Sequence, residues 1–208
     1  PTRLTTSSLR AGSRALAKDA DLAHVIKEVG PCKIEITGGG FAVLARSILS
    51  QQISTKAARS IRRNLQDLLP RRRLAAAPIL SLSDQQLQSA GISAQKRGYL
   101  RDLAERTVDG TLNFRRLARA DEETVIDELT QVRGIGRWTA QMYLMFGLGR
   151  PDVFAPDDLG LQNAVRDLRA LPARPSAGEL DEIARAWRPW RTVAAWYLWR
   201  SLDGLGLG

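Results

Sequence analysis

Two carboxylates, Asp157 and Asp158, stand directly behind Pro156 and ahead of the amphipathic stretch Leu159–Arg169. A proline fixes the chain as it enters a helix. An acid in the first turn can then accept backbone N–H groups, or it can stabilise a developing positive charge and orient water. Spacing alone favours the capping role and leaves one acid available for chemistry. Earlier in the chain, Gly134-Ile135-Gly136 separates two amphipathic stretches, the second opening with Arg137-Trp138-Thr139-Ala140. Two glycines around one apolar anchor permit a sharp turn, and the amides of Gly134, Gly136 and the following turn would form an anion site. The plainer alternative, a glycine-capped connector, fits the same spacing slightly better. The third group is Trp187-Arg-Pro-Trp-Arg-Thr-Val-Ala-Ala-Trp-Tyr-Leu-Trp199, which holds four of the five tryptophans, the other being Trp138. Stacked aromatics can hold a planar base, whereas Trp196 and Trp199 share a helix face as core residues do, and composition leaves both roles open.

The remaining composition narrows the chemistry. A single cysteine, Cys32, and a single histidine, His24, cannot assemble a zinc site or an iron–sulfur cluster. Lys plus Arg total 31 against 22 for Asp plus Glu, a formal charge of +9. Only Lys18, Lys27, Lys33, Lys56 and Lys96 are lysines, and the arginine excess suits bidentate phosphate contact or a solvated basic surface. No apolar run approaches the ~20 residues of a membrane span, and Pro1–Arg14 lacks the apolar core of a secretory signal. A soluble, cytoplasmic chain without a membrane partner is expected, nucleoid-associated if bacterial.

These groups need elements to position them, and the periodicity is helical almost throughout. Phe41, Leu44, Ala45, Ile48 and Leu49 form one face of a helix running to Gln52. Ser54–Leu69 repeats the spacing, with Lys56, Arg59, Arg62 and Arg63 on the other faces. Further helices are predicted over Ser83–Ala90, Ser93–Val108, Ala120–Leu129, Arg137–Phe146, Leu159–Arg169, Ala177–Trp187 and Pro189–Leu202, with capping boxes at Ser83/Gln86 and Ser176/Glu179 and Pro189 in the last helix's first turn. The one strand-like run, Lys33–Thr37, is too short and isolated to build a sheet. Pro70–Pro78 and Arg150–Pro156 read as linkers. The expectation is one all-α domain over residues 1–208, a compact helical array of two lobes.

In that order, Gly134-Ile-Gly-Arg-Trp-Thr-Ala140, Phe154-Ala-Pro-Asp-Asp158 and Trp187-Arg-Pro-Trp-Arg191 strongly resemble the helix-hairpin-helix DNA glycosylases, within them the DNA-3-methyladenine glycosylase II branch. Arg46-Ser-Ile-Leu-Ser-Gln-Gln-Ile-Ser54 resembles that branch's early motif. The resemblance implies a central lobe over roughly 41–135 with the hairpin, a second lobe of 1–40 plus 136–208, and an active-site cleft between them. It implies a monofunctional enzyme that flips out and excises alkylated purines from double-stranded DNA in base excision repair. Asp158 would be the catalytic carboxylate, leaving capping to Asp157. Trp138 and Trp199 would line the base pocket with Met142 or Tyr143, the latter one position away from a tyrosine of some relatives. Gly134, Gly136, Arg137 and Thr139 would grip the DNA backbone, while Gln51-Gln52-Ile53 would intercalate, with Gln52 or Ile53 as the wedge. No cofactor is implied beyond a structural Na or K ion on the carbonyls of Thr130, Val132 and Ile135. Trp138 stands where strand-cutting relatives carry a Schiff-base lysine, which disfavours lyase activity on oxidised purines. A non-catalytic DNA-binding hairpin module, or a glycosylase for another damaged base, is the alternative. Lys96 and Arg97 read as DNA contacts or solvated charges, and a monomer is expected.

Overall fold

The computed structural model describes residues 3–203, and among these every regular element is helical. The helices are α1 (Thr6–Leu16), α2 (Leu22–Val29), α3 (Phe41–Ser50), α4 (Thr55–Asp67), α5 (Ala76–Ser81), α6 (Asp84–Ser89), α7 (Ala94–Val108), α8 (Phe114–Leu117), α9 (Glu122–Thr130), α10 (Arg137–Met142), α11 (Leu159–Leu168), α12 (Ala177–Ala184) and α13 (Arg191–Ser201). A π-helical turn, Tyr143–Leu148, continues α10.

Local chemistry explains most of the starts. Reciprocal capping boxes at Thr5/Ser8, Ser83/Gln86 and Ser176/Glu179 open α1, α6 and α12. Asp121 accepts from the Thr124 amide to open α9, whose first turn carries Glu122 and Glu123 where the helix dipole favours them.

The chain divides into two compact units. One runs to Ile36 and resumes at Leu144, and the other is Thr37–Tyr143. In the first, α13 is buried on nearly every face and is packed by α1, α2 and α11. Gly12 of α1 permits this: a Cβ there would stand 3.0 Å from the Trp190 ring. In the second, α7 packs on α3 and α5, and α9 packs on α10. The division thus falls after Tyr143 rather than near residue 135, because α10 stays with its hairpin partner.

As expected from its shortness and isolation, Lys33–Thr37 builds no sheet and runs as irregular chain with Ile34 buried. Two other expectations need correction. The Pro70–Pro78 linker is half structured, because Pro70–Arg72 forms a 3-10 turn and α5 begins at Ala76. Pro189 lies outside the last helix, which opens at Arg191. Among the described residues no helix is long and apolar enough to cross a membrane.

Candidate active site

In the Thr37–Tyr143 unit, the hairpin turn between α9 and α10 is built on two buried apolar anchors, Val132 and Ile135, joined by an Ile135 N–H to Val132 carbonyl bond of 3.0 Å. Gly134 sits between them at φ +82°, and a Cβ there would lie 2.1 Å from Tyr99 Cδ2. Both the backbone conformation and the flat Tyr99 ring therefore require glycine. The Gly134 carbonyl accepts from Gln51 Nε2 at 2.8 Å. Gly136 differs: its φ is −95°, any side chain can adopt that, and a Cβ would meet nothing within 4 Å. It opens α10 without a side-chain cap, so the first-turn amides have no intrahelical acceptor. Thr139 is buried, so it can present only its amide, and the Arg137 guanidinium is paired bidentately with Glu123 at 2.7 and 3.1 Å.

The loop after α3 stands beside this turn. Gln52 is exposed at φ +53°, a left-handed conformation costly for a residue with a Cβ, and Ile53 is 37% exposed. The loop is fastened from below: Lys96, buried at the start of α7, donates from Nζ to the carbonyls of Leu49 at 2.9 Å and Gln51 at 2.7 Å. Burial lowers the Lys96 pKa below its ordinary value. Ser50, Gln51, Gln52, Lys96, Tyr99 and Trp138 line a cleft of about 520 Å³, with the Trp138 indole 47% exposed. The structure thus brings the predicted intercalating loop, the hairpin glycines and Trp138 together.

The Asp158 site belongs to the other unit. Asp158 Oδ1 accepts the Leu161 amide at 2.9 Å, making this residue the N-cap of α11, and it accepts the Trp199 indole N–H at 2.9 Å as well. Trp199 in turn lies against Phe146, ring centroids 5.9 Å apart. Gly160 makes the arrangement fit, since a Cβ there would come within 3.0 Å of Asp158 Oδ1 and 3.1 Å of Trp199 Cδ1. The chain leading to Asp158 is clamped on α13. Thr192 Oγ1 donates to the Arg150 carbonyl at 2.7 Å and accepts the Val153 amide at 3.1 Å. Arg191, only 10% exposed in its side chain, grips the Asp152 carboxylate at 2.8 and 3.2 Å and its carbonyl at 2.8 Å. Trp187, buried, packs edge-on against Phe154 at 5.7 Å.

Residues 45–189 match the model of the HhH-GPD superfamily of base excision DNA repair proteins. The chain belongs to this superfamily. The HhH-GPD chain is 32% identical over 203 residues to DNA-3-methyladenine glycosylase 1 of Schizosaccharomyces pombe, a match covering 95% of this chain and 89% of the relative. Among solved structures it resembles a DNA-3-methyladenine glycosidase from Bacillus halodurans, with TM-score 0.82, 35% identity, and coverage of 90% of this chain and 86% of that one. A 3-methyladenine DNA glycosylase of S. pombe in complex with abasic DNA aligns equally well, with TM-score 0.82, 31% identity and coverage of 94% and 98%.

Within this HhH-GPD fold, several sequence assignments change. Capping falls to Asp158 itself and not to Asp157, which is exposed: Asp158 has the extended backbone of an N-cap and its carboxylate accepts the amide of Leu161, three residues on. Tyr143 is 1% exposed, is packed on Phe114 at 6.3 Å and has no hydrogen bond to its hydroxyl, so its ring faces the hairpin unit's interior rather than a base pocket. Met142 is half-buried. Lys96 is neither a DNA contact nor a solvated charge but an internal clasp, and Arg97 is tied to Asp84 at 2.9 Å and to the Ile92 carbonyl at 2.9 Å. Gly160 is a site residue that sequence reasoning misses; its signal is its place two residues after the acid, inside the first helical turn. Among the described residues no group of three His, Cys, Asp or Glu side chains could hold a metal.

Proposed function

We propose that this chain is a monofunctional DNA glycosylase that removes alkylated purines from double-stranded DNA in base excision repair and leaves an abasic site. The observation that carries the reading is the Asp158 carboxylate, held by the Leu161 amide and the Trp199 indole in a chain of this superfamily. A pure binding module has no use for a carboxylate fixed by an indole.

The chemistry follows from the substrate. An alkylated purine such as 3-methyladenine already carries positive charge, so the C1′–N bond breaks with its electron pair leaving on the base, which becomes neutral. No strong general acid is needed. The sugar acquires oxocarbenium character, and Asp158 stabilises that charge and orients a water whose oxygen bonds to C1′. The surplus proton passes to the carboxylate and then to solvent. Trp138, in place of an amine, offers no nucleophile for a Schiff base, so the reaction stops at the abasic site. The base must first leave the stack, and exposed Gln52 and Ile53 would fill the gap while the exposed Trp138 indole offers a flat face to the extruded ring.

Open space before Gly136 suits a phosphate approaching the amides of the hairpin. The carbonyls of Thr130, Val132 and Ile135 would hold a monovalent cation such as Na or K. These are neutral oxygen donors, and the Val132 carbonyl spends one acceptor direction on the Ile135 amide while keeping another. We take the protein to act as a monomer in the cytoplasm, associated with the nucleoid if bacterial.

The test is release of free base from methylated duplex DNA by the wild type and by Asp158→Asn, with DNA binding measured in parallel. Collapse of release with binding retained is the expected result. If wild type and variant both bind and neither releases base, excision of alkylated purines is ruled out.

A further inference from the structure

The charge pattern of α4 works against its own helix. Its first turn carries Lys56 and no acid, the reverse of what the dipole favours, and Lys56, Arg59, Arg62 and Arg63 follow at spacings that place like charges side by side. Each such pair destabilises a helix by about 0.2–0.5 kcal/mol. All four are exposed, and none takes part in an ion pair among the described residues. Together with Ser60 and Arg72 they line one open groove. Arg71 and Arg72, both at positive φ, fold the Pro70 turn back toward the helix, where the Arg72 carbonyl accepts from Gln66 and its guanidinium pairs with Asp67 at 2.9 Å. Inward, only Leu65 of α4 is fully buried, so the helix presents a broad cationic face that the fold does not use.

We propose that this face of α4 is a second phosphate-binding track, which holds one strand of the DNA duplex beyond the contacts of the hairpin. It rests on the glycosylase reading for the identity of the polyanion. Two observations favour a nucleic-acid strand over an acidic protein. The helix begins at Thr55, directly after the exposed Gln52-Ile53 loop, so a duplex engaged by that loop continues onto α4. Lys56 to Arg63 also spans about 10 Å of helix, the axial length of about three phosphates on one strand. Such contacts carry no sequence information and suit an enzyme that must slide over undamaged DNA.

The experiment compares wild type with Arg59→Gln/Arg62→Gln/Arg63→Gln and with a control, Arg174→Gln/Arg185→Gln, which removes charge from the other unit. For each, affinity for undamaged duplex DNA is measured across a salt series. The track predicts that the slope of log affinity against log salt flattens by about 2–3 in the α4 variant, at about 0.9 for each phosphate no longer neutralised, and stays near wild type in the control. An unchanged slope in the α4 variant overturns the proposal, and so does equal flattening in both variants, which would be a general charge effect. Base release by wild type alone decides the glycosylase reading. Release with an unchanged slope defeats the track only, and a flattened slope without release defeats the reading only.

Discussion

Trp199 donates its indole N–H to Asp158 at 2.9 Å, on the same oxygen that caps α11 through the Leu161 amide. One atom thus serves helix start, aromatic anchor and candidate chemistry, and the three are separable by substitution. Trp199→Phe keeps a ring against Phe146 and removes the N–H. Single-turnover base release is expected to fall about tenfold, the equivalent of one charge-assisted hydrogen bond of about 1.4 kcal/mol, with the melting temperature little changed. A wild-type rate in this variant would remove Trp199 from the orientation of the acid.

The two hairpin glycines should part company. Gly134→Ala brings a Cβ into the Tyr99 ring and forces alanine to positive φ, so a loss of several kcal/mol is expected, measurable as a large drop in melting temperature. Gly136→Ala meets open space at an ordinary φ, so the fold should hold. If a phosphate approaches there, DNA affinity falls about tenfold with no change in melting temperature, the size of one charged hydrogen bond. Titration of both variants against duplex DNA reads the difference.

Lys96→Met fills similar volume but leaves the Leu49 and Gln51 carbonyls without their donor, at a cost of about 1–3 kcal/mol. The loop it fastens should then support base extrusion poorly. Excision of a lesion in a normal pair is expected to fall more than excision of the same lesion opposite a mismatch, which is already partly unstacked. Equal losses on both substrates would reduce Lys96 to general stability.

Tyr143→Phe should stabilise the protein by about 1–2 kcal/mol at neutral pH, because the buried hydroxyl has no partner. It should also change the alkaline limb. Burial raises the Tyr143 pKa from 10.0 to about 12, so the folded chain keeps its proton where the unfolded chain has lost it. The neutral phenol's contribution is complete below pH 10 and is lost as pH rises towards 12. Chemical denaturation across that window should show a shallower decline for the variant than for the wild type.

What is legible in the sequence is what is encoded within one helical turn. The capping boxes at Ser83 and Ser176 and the acids at the start of α9 all depend on neighbours three or four residues away. Lys96 binds carbonyls 45 and 47 residues distant, and Arg191 reaches back 39 to Asp152, so nothing local marks either one. The aromatic cluster is ambiguous for the same reason: Trp187 is core and Trp199 meets Asp158, a distinction that only packing makes. Helices α1 and α2 are regular yet carry no marker singled out in the sequence, and the base-pocket place of Tyr143 rests only on its offset by one position from a tyrosine of some relatives, whereas its ring packs on Phe114.

The left-handed Gln52 has an evolutionary and practical corollary. A side-chain-bearing residue held there costs on the order of 1 kcal/mol that glycine would not. Selection for thermal tolerance alone should therefore drift toward glycine at position 52, yielding sturdier proteins with no side chain at that point of the loop. Under the proposed function, retention of a bulky residue at this position under such selection would report a continuing need for a side chain at the tip of the loop.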